Sequence, residues 1–99
     1  MTIPNEIRPA LRDELDALAR GERPALLTWV ENYGHGGAEL IRQPEEIWSH
    51  PASELQHGSN GSGWGCVPLW TTEESPSDLT AEFEVSSTGK VALTDVRVL

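Results

Sequence analysis

The chain has 99 residues, 37% hydrophobic and 23% charged, and its 16 acidic against 7 basic side chains leave a formal net charge of -9. That length suits one small domain with a single core and is too short for the two-lobed clefts of many enzymes. A surface so negative repels phosphate backbones and anionic lipid heads, so nucleic acid and membrane are not expected partners.

The opening MTIPNEIRPAL has no positively charged start followed by an apolar run, and no window approaches the roughly 18 apolar residues of a membrane span. Cys66 is the single cysteine and has no internal disulfide partner. Both features fit a cytoplasmic location. In IRPALRDELDALARG, Ile7, Leu11, Leu15 and Leu18 recur at helical spacing, Pro9 suits a first turn and Gly21 sits where a C-cap belongs. ERPALLTWVENYG repeats the device, with Pro24 near the start, Leu26, Leu27, Val30 and Tyr33 on one side, and Gly34 as the stop. The two segments predict a helical hairpin.

Gly36, Gly37, Pro44 and Pro51 punctuate the next stretch, which leaves room for a brief extended run at Glu39–Ile41 and a turn or two of helix after Pro44. GSNGSGWG, residues 58–65, reads as a loop. Beyond it the period changes to two. Val67 to Thr71 predicts a short strand, and Leu79, Ala81, Phe83 and Val85 alternate with Thr80, Glu82 and Glu84 in the pattern of a half-buried antiparallel strand. VALTDVRVL predicts a third strand, and the change of parity between Leu93 and Val96 places a bulge near Thr94 and Asp95. The expectation is one α+β domain over residues 1–99, an N-terminal helical hairpin packed on a three-stranded antiparallel meander.

The stretch WTTEESPSDLTAEFEV, residues 70–85, holds five carboxylates and no base. Glu82 and Glu84 alternate onto the solvated face, where nothing would push their pKa values apart for acid-base work. Glu73, Glu74 and Asp78 offer clustered oxygens to a hard cation but lack the spacing of a calcium loop. His35, His50, His57 and Cys66 match no zinc spacing, and no base near Cys66 in sequence would activate a thiolate. GHGG comes without a nucleophile elbow, and GSNGSGWG without the Lys-Ser/Thr and helix of a phosphate loop. No catalytic, cofactor or metal residues are therefore assigned. Trp29 and Trp48 are expected in the core. Trp64 and Trp70 flank the loop and the acidic turn, where burial would pack the sheet and exposure would make interface anchors.

VPLWTTEESPSDLTAEFEV and the final DVRVL resemble a family of small uncharacterised bacterial domains ending in a Trp-Thr, Glu-Glu, Ser-Asp-Leu-Thr strand pair, matched at Pro68–Thr71, Glu73, Glu74, Ser77–Thr80, Val98 and Leu99. In place of the family's Gly-Arg and its histidine before the last Val-Leu, this chain has Ser75-Pro76 and Arg97. The resemblance implies no reaction.

The first functional expectation is an acidic binding protein, an immunity or inhibitor protein covering the cationic site of a toxin or nuclease. Trp70, Glu73, Glu74, Asp78, Glu82 and Glu84 would be its contact surface, favoured because no Lys or Arg lies between Arg42 and Lys90. The alternatives are a small enzyme or ligand-binding domain with a pocket between helices and a curved sheet, and a structural module that pairs as a homodimer. The plain alternative for the acids themselves is a solvated strand face and turn.

Overall fold

The computed structural model describes residues 2–99. A 3-10 turn at Asn5–Ile7 leads into helix α1, Arg8–Ala19. Ile3, Ile7, Leu11, Leu15 and Leu18 are all buried. Their spacing of three or four residues makes one apolar stripe, and Pro9 occupies the first turn, where its missing N–H breaks no helical bond. The helix stops where the sequence predicts. Gly21 takes a left-handed φ of 79°, its N–H bonds the Leu18 carbonyl, and the Glu22 N–H reaches back to Ala17 in a Schellman-type end.

The expected second helix does not form. Pro24–Leu26 makes only a 3-10 turn, and α2 is a single turn at Thr28–Glu31. Thr28, Trp29, Val30 and Tyr33 are β-branched or aromatic and weak helix formers. Of the α2 residues only Val30 is buried, so no apolar stripe holds a longer helix against the core. Trp29, expected inside, is 50% exposed. Gly34, Gly36 and Gly37 then swing the chain back at positive φ until the Ala38 N–H bonds the Val30 carbonyl at 2.8 Å. The hairpin is thus one helix and a tight return.

The sheet has four strands rather than three: β1 Glu54–His57, β2 Gly63–Pro68, β3 Leu79–Val85 and β4 Val91–Val98, antiparallel throughout and adjacent in chain order. β1 was not anticipated, and β2 begins inside the stretch that reads as loop. Gly63 pairs with His57 and Val85, and Gly65 with Leu55 and Phe83. These glycines belong to the sheet because neighbours fill the space their side chains would need. A Cβ on Gly65 would lie 2.7 Å from Phe83 Cζ and would also run into the Glu54 carbonyl. Leu69 and Trp70 lie past the end of β2, and Thr71 forms an isolated bridge with Leu40, which accounts for the extended run expected near Glu39–Ile41.

β3 alternates as predicted, with Leu79, Ala81, Phe83 and Val85 buried. In β4, Leu93 faces Phe83 and Asp95 faces Glu82, so Thr94 is the extra residue of a bulge. That bulge lets Leu93 and Val96 both point inward despite their odd spacing. The inner face packs on the α1 stripe together with Ile47 and Trp48, which follow Pro44 in a 3-10 turn at Glu45–Trp48.

Polar groups fasten the segments that the sheet does not pair. Buried Gln43 accepts the Trp70 N–H at 2.7 Å and donates to the carbonyls of Ile41 and Trp70 at 2.8 and 3.0 Å. Arg12 donates to the Gln43 carbonyl and to Glu45, both at 2.6 Å, with its guanidinium 5.0 Å over the Trp48 ring. This hydrogen bond from Arg12, seconded by the Trp48 indole, holds the Glu45 carboxyl below the ordinary carboxylate range. Glu14, held by Arg23 at 2.7 Å, accepts the Leu93 N–H of edge strand β4 at 3.2 Å. Among the described residues no helix is long and apolar enough to cross a membrane.

Candidate functional site

Of the six residues expected to form one contact surface, Trp70 does not reach solvent. It is 5% exposed, its backbone is clamped by Gln43, and His50 meets its ring edge-on at 5.6 Å. Burial against the sheet is the role the sequence favours for this ring over that of an anchor, and the chain leaves the sheet at Leu69 and turns it into the core.

The five carboxylates fall into two groups. Glu73, Glu74 and Asp78 are exposed on the loop between β2 and β3. The Thr71 hydroxyl accepts the Glu74 N–H at 3.0 Å, and the Tyr33 hydroxyl donates to Glu74 at 2.7 Å while accepting the Asp78 N–H at 3.1 Å. The Asp78 N–H draws the Tyr33 pKa down, but Glu74 and desolvation outweigh it and leave the phenol above its usual value. A polar groove of about 450 Å³ runs between Tyr33–Glu39 and Thr71–Glu74.

Glu82 and Glu84 stand on the outer face of the sheet. Asp78 and Glu84 are separated by six residues of extended chain, about 20 Å at the usual strand rise. That exceeds a Debye length of roughly 8 Å at physiological salt, which weakens the coupling between the far ends of the run. Glu82 is also not bare, because Arg97, diagonally across on β4 opposite Thr80, donates to it at 3.0 Å. The base was invisible in the local run because it comes from a strand 15 residues away.

Cross-strand register brings other residues to this face. One row runs Glu54, Cys66, Glu82, Asp95 and the next Gln56, Trp64, Glu84, Ala92. Trp64 is 54% exposed between the flanking pairs with Gln56 and Glu84. Glu54 and Asp95 were not expected in the contact surface, Glu54 because β1 was unseen and Asp95 because its register against Glu82 is not visible in sequence; Trp64, offered as an anchor if exposed, read as part of a loop rather than of a strand. The one legible signal was a tryptophan two residues before Cys66 and in phase with it. Glu84 accepts no hydrogen bond and makes no ion pair among the described residues, in contrast to Glu82 and Glu74.

Cys66 is half-buried in this face, its sulfur 3.8 Å from Glu54 Oε1. Burial, then the charges of Glu54 and Glu82, push its thiol pKa up, the reverse of what a nucleophilic cysteine needs. Among the described residues no three His, Cys, Asp or Glu side chains are placed to hold a metal ion together. Between α1 and the sheet, Leu11, Leu15, Leu18, Leu79 and Phe83 are each at most 1% exposed, so that space is filled by core. Besides the polar groove at Tyr33 and Glu74, the outer sheet face presents an exposed indole set among carboxylates.

The family described as Domain of unknown function (DUF7668) matches residues 5–99, and the chain belongs to it. No curated protein and no solved structure matches the chain.

Proposed function

We propose that this domain binds another protein, and that the outer sheet face takes a cationic surface of that partner. The observation that carries the reading is Trp64, half exposed in a paired strand with Glu84 opposite it and Glu54, Glu82 and Asp95 in the adjoining row. A tryptophan supplies buried contact area at the centre of an interface, and surrounding acids steer a basic partner and exclude acidic ones. Two copies face to face would set these acids against themselves, so a cationic partner fits better than a second copy. Within that class, an immunity or inhibitor role, covering the basic active surface of a toxin or nuclease, agrees with the small size and the charge of -9.

The test starts from capture in the source organism with the parent protein and with Trp64→Ala. A captured basic protein should associate more slowly as salt rises and should be lost or weakened at least tenfold by the Trp64 change, the scale of a hot-spot residue. Binding that ignores both salt and Trp64 would exclude this face as the contact.

A further inference from the structure

Trp64 and Glu84 stand opposite each other on β2 and β3, the arrangement that brings Cβ atoms within about 4.5–5.5 Å. The next residue across, on β4, is Ala92. Its short side chain leaves a shallow hollow of about 500 Å³ lined by Ser62, Trp64, Glu84, Ser86, Lys90 and Ala92. One wall is thus an exposed aromatic face, and another a carboxylate that the protein leaves unpaired.

We infer that this hollow is a subsite for one arginine side chain of the basic partner. The inference rests on the outer-face reading proposed above and goes further by naming the residue that the face receives. A planar guanidinium stacks on an indole and presents a fork of parallel N–H donors to a carboxylate, and its methylenes can lie over Ala92. A lysine ammonium is a compact, strongly hydrated charge that cannot stack and fork at once. Lys90 also lines the hollow and weakens attraction to any cation, arginine included, so selection here depends on stacking and donor geometry beyond charge. The neighbouring acids serve the opposite purpose: Glu54 attracts any cation from a distance without reading its shape, and Glu82 and Asp95, which share Arg97 at 3.0 and 3.8 Å, add a weaker pull.

The experiment uses three blocked tripeptides, acetyl-Gly-Arg-Gly-amide, its lysine counterpart and its citrulline counterpart, a neutral near-isostere of the arginine. Each is titrated into the full chain at low salt while the indole N–H resonances are followed by NMR; the Trp64 signal is assigned by its loss in Trp64→Leu. The arginine peptide should shift the Trp64 resonance and bind about two- to fivefold tighter than the lysine peptide, the range of a cation-stacking contact at an exposed site. Citrulline should fail, and Glu84→Gln, a solvent-facing change with little reason to unfold the chain, should abolish the preference for arginine. Equal, salt-sensitive shifts from arginine and lysine, unchanged by Glu84→Gln, would overturn the arginine subsite while leaving the acidic face standing. No shift of the Trp64 indole from either cation would overturn the subsite, while the outer-face reading stands or falls separately on capture of a partner by the parent protein and its loss in Trp64→Ala.

Discussion

Gly65→Ala is a substitution that looks conservative in the sequence and should not be. The added methyl would stand 2.7 Å from Phe83 Cζ and 3.1 Å from Phe83 Cε1, and it would also meet the Glu54 carbonyl of β1. Phe83 is 1% exposed and sits in the central pair of the sheet, so its ring has no empty space to enter. Overpacking of this kind costs about 1–3 kcal/mol. For a domain of this length each kcal/mol lowers the melting temperature by roughly 4–8 °C, giving an expected drop of roughly 4–24 °C by circular dichroism. The second clash is with backbone, so removing the ring relieves only part of the strain. Phe83→Ala alone should cost about 3–5 kcal/mol. In that background Gly65→Ala should cost less than in the parent but more than nothing, a coupling of about 0.5–3 kcal/mol. Amide exchange in β1 should also quicken, because that edge strand is the element free to move aside. A Gly65→Ala protein melting within about 2 °C of the parent, or full additivity in the cycle, would refute the placement of the ring over the glycine.

Gln43→Leu keeps the volume but orphans the Trp70 N–H and takes a donor from the carbonyls of Ile41 and Trp70, at a cost of about 1–3 kcal/mol in urea unfolding; a neutral result would mean the buried amide does not hold that segment. Cys66 should react with iodoacetamide at pH 8 more slowly than an unstructured cysteine peptide, whose pKa is about 8.5, and Glu54→Gln should speed it; a rate above the peptide's would contradict the raised thiol pKa. The Glu45 carboxyl is lowered in the folded chain, so its stabilising contribution is present above the unfolded value of about 4.3 and is lost as pH falls through the lower folded value. The stability gap between the parent and Glu45→Gln should therefore be constant near neutrality and close below about pH 4; a gap that widens with acid would reverse the assignment.

What the sequence revealed was whatever periodicity could carry. The α1 stripe and its Gly21 stop, the two faces of β3 and the bulge at Thr94 all follow from spacing alone. Elements that borrow their packing from elsewhere were hidden. Gly63 and Gly65 look like loop residues because the groups occupying their inner face, Leu55 and Phe83, belong to other strands. Glu54–His57 is only four residues long and shows a single buried side chain, Leu55, so it carries no alternation to read. The apolar residues after Pro24 suggested a helix because sequence cannot tell that Trp29 faces outward and that the chain doubles back at Gly34–Gly37. The acids of the candidate site were legible as a run. Their division into a loop group and a sheet group, the pairing of Glu82 with Arg97 and the burial of Trp70 depend on register across strands and on Gln43, a residue with no local sign of importance.

The central claim is that location, rather than total charge, makes the acids of the outer face a docking surface. Two variants separate these possibilities, each removing three negative charges from exposed or part-exposed positions: Glu54→Gln, Glu84→Gln and Asp95→Asn on the sheet, against Glu6→Gln, Asp13→Asn and Glu31→Gln on or beside the helices. Association rates with the captured partner are measured by stopped flow from low salt to well above physiological ionic strength. The account predicts that the sheet variant associates about tenfold or more slowly at low salt, with a flattened salt dependence, while the helix-side variant stays within about twofold of the parent. Equal slowing in both would show that net charge alone steers the encounter, and slowing confined to the helix-side variant would move the interface to the opposite face of the molecule.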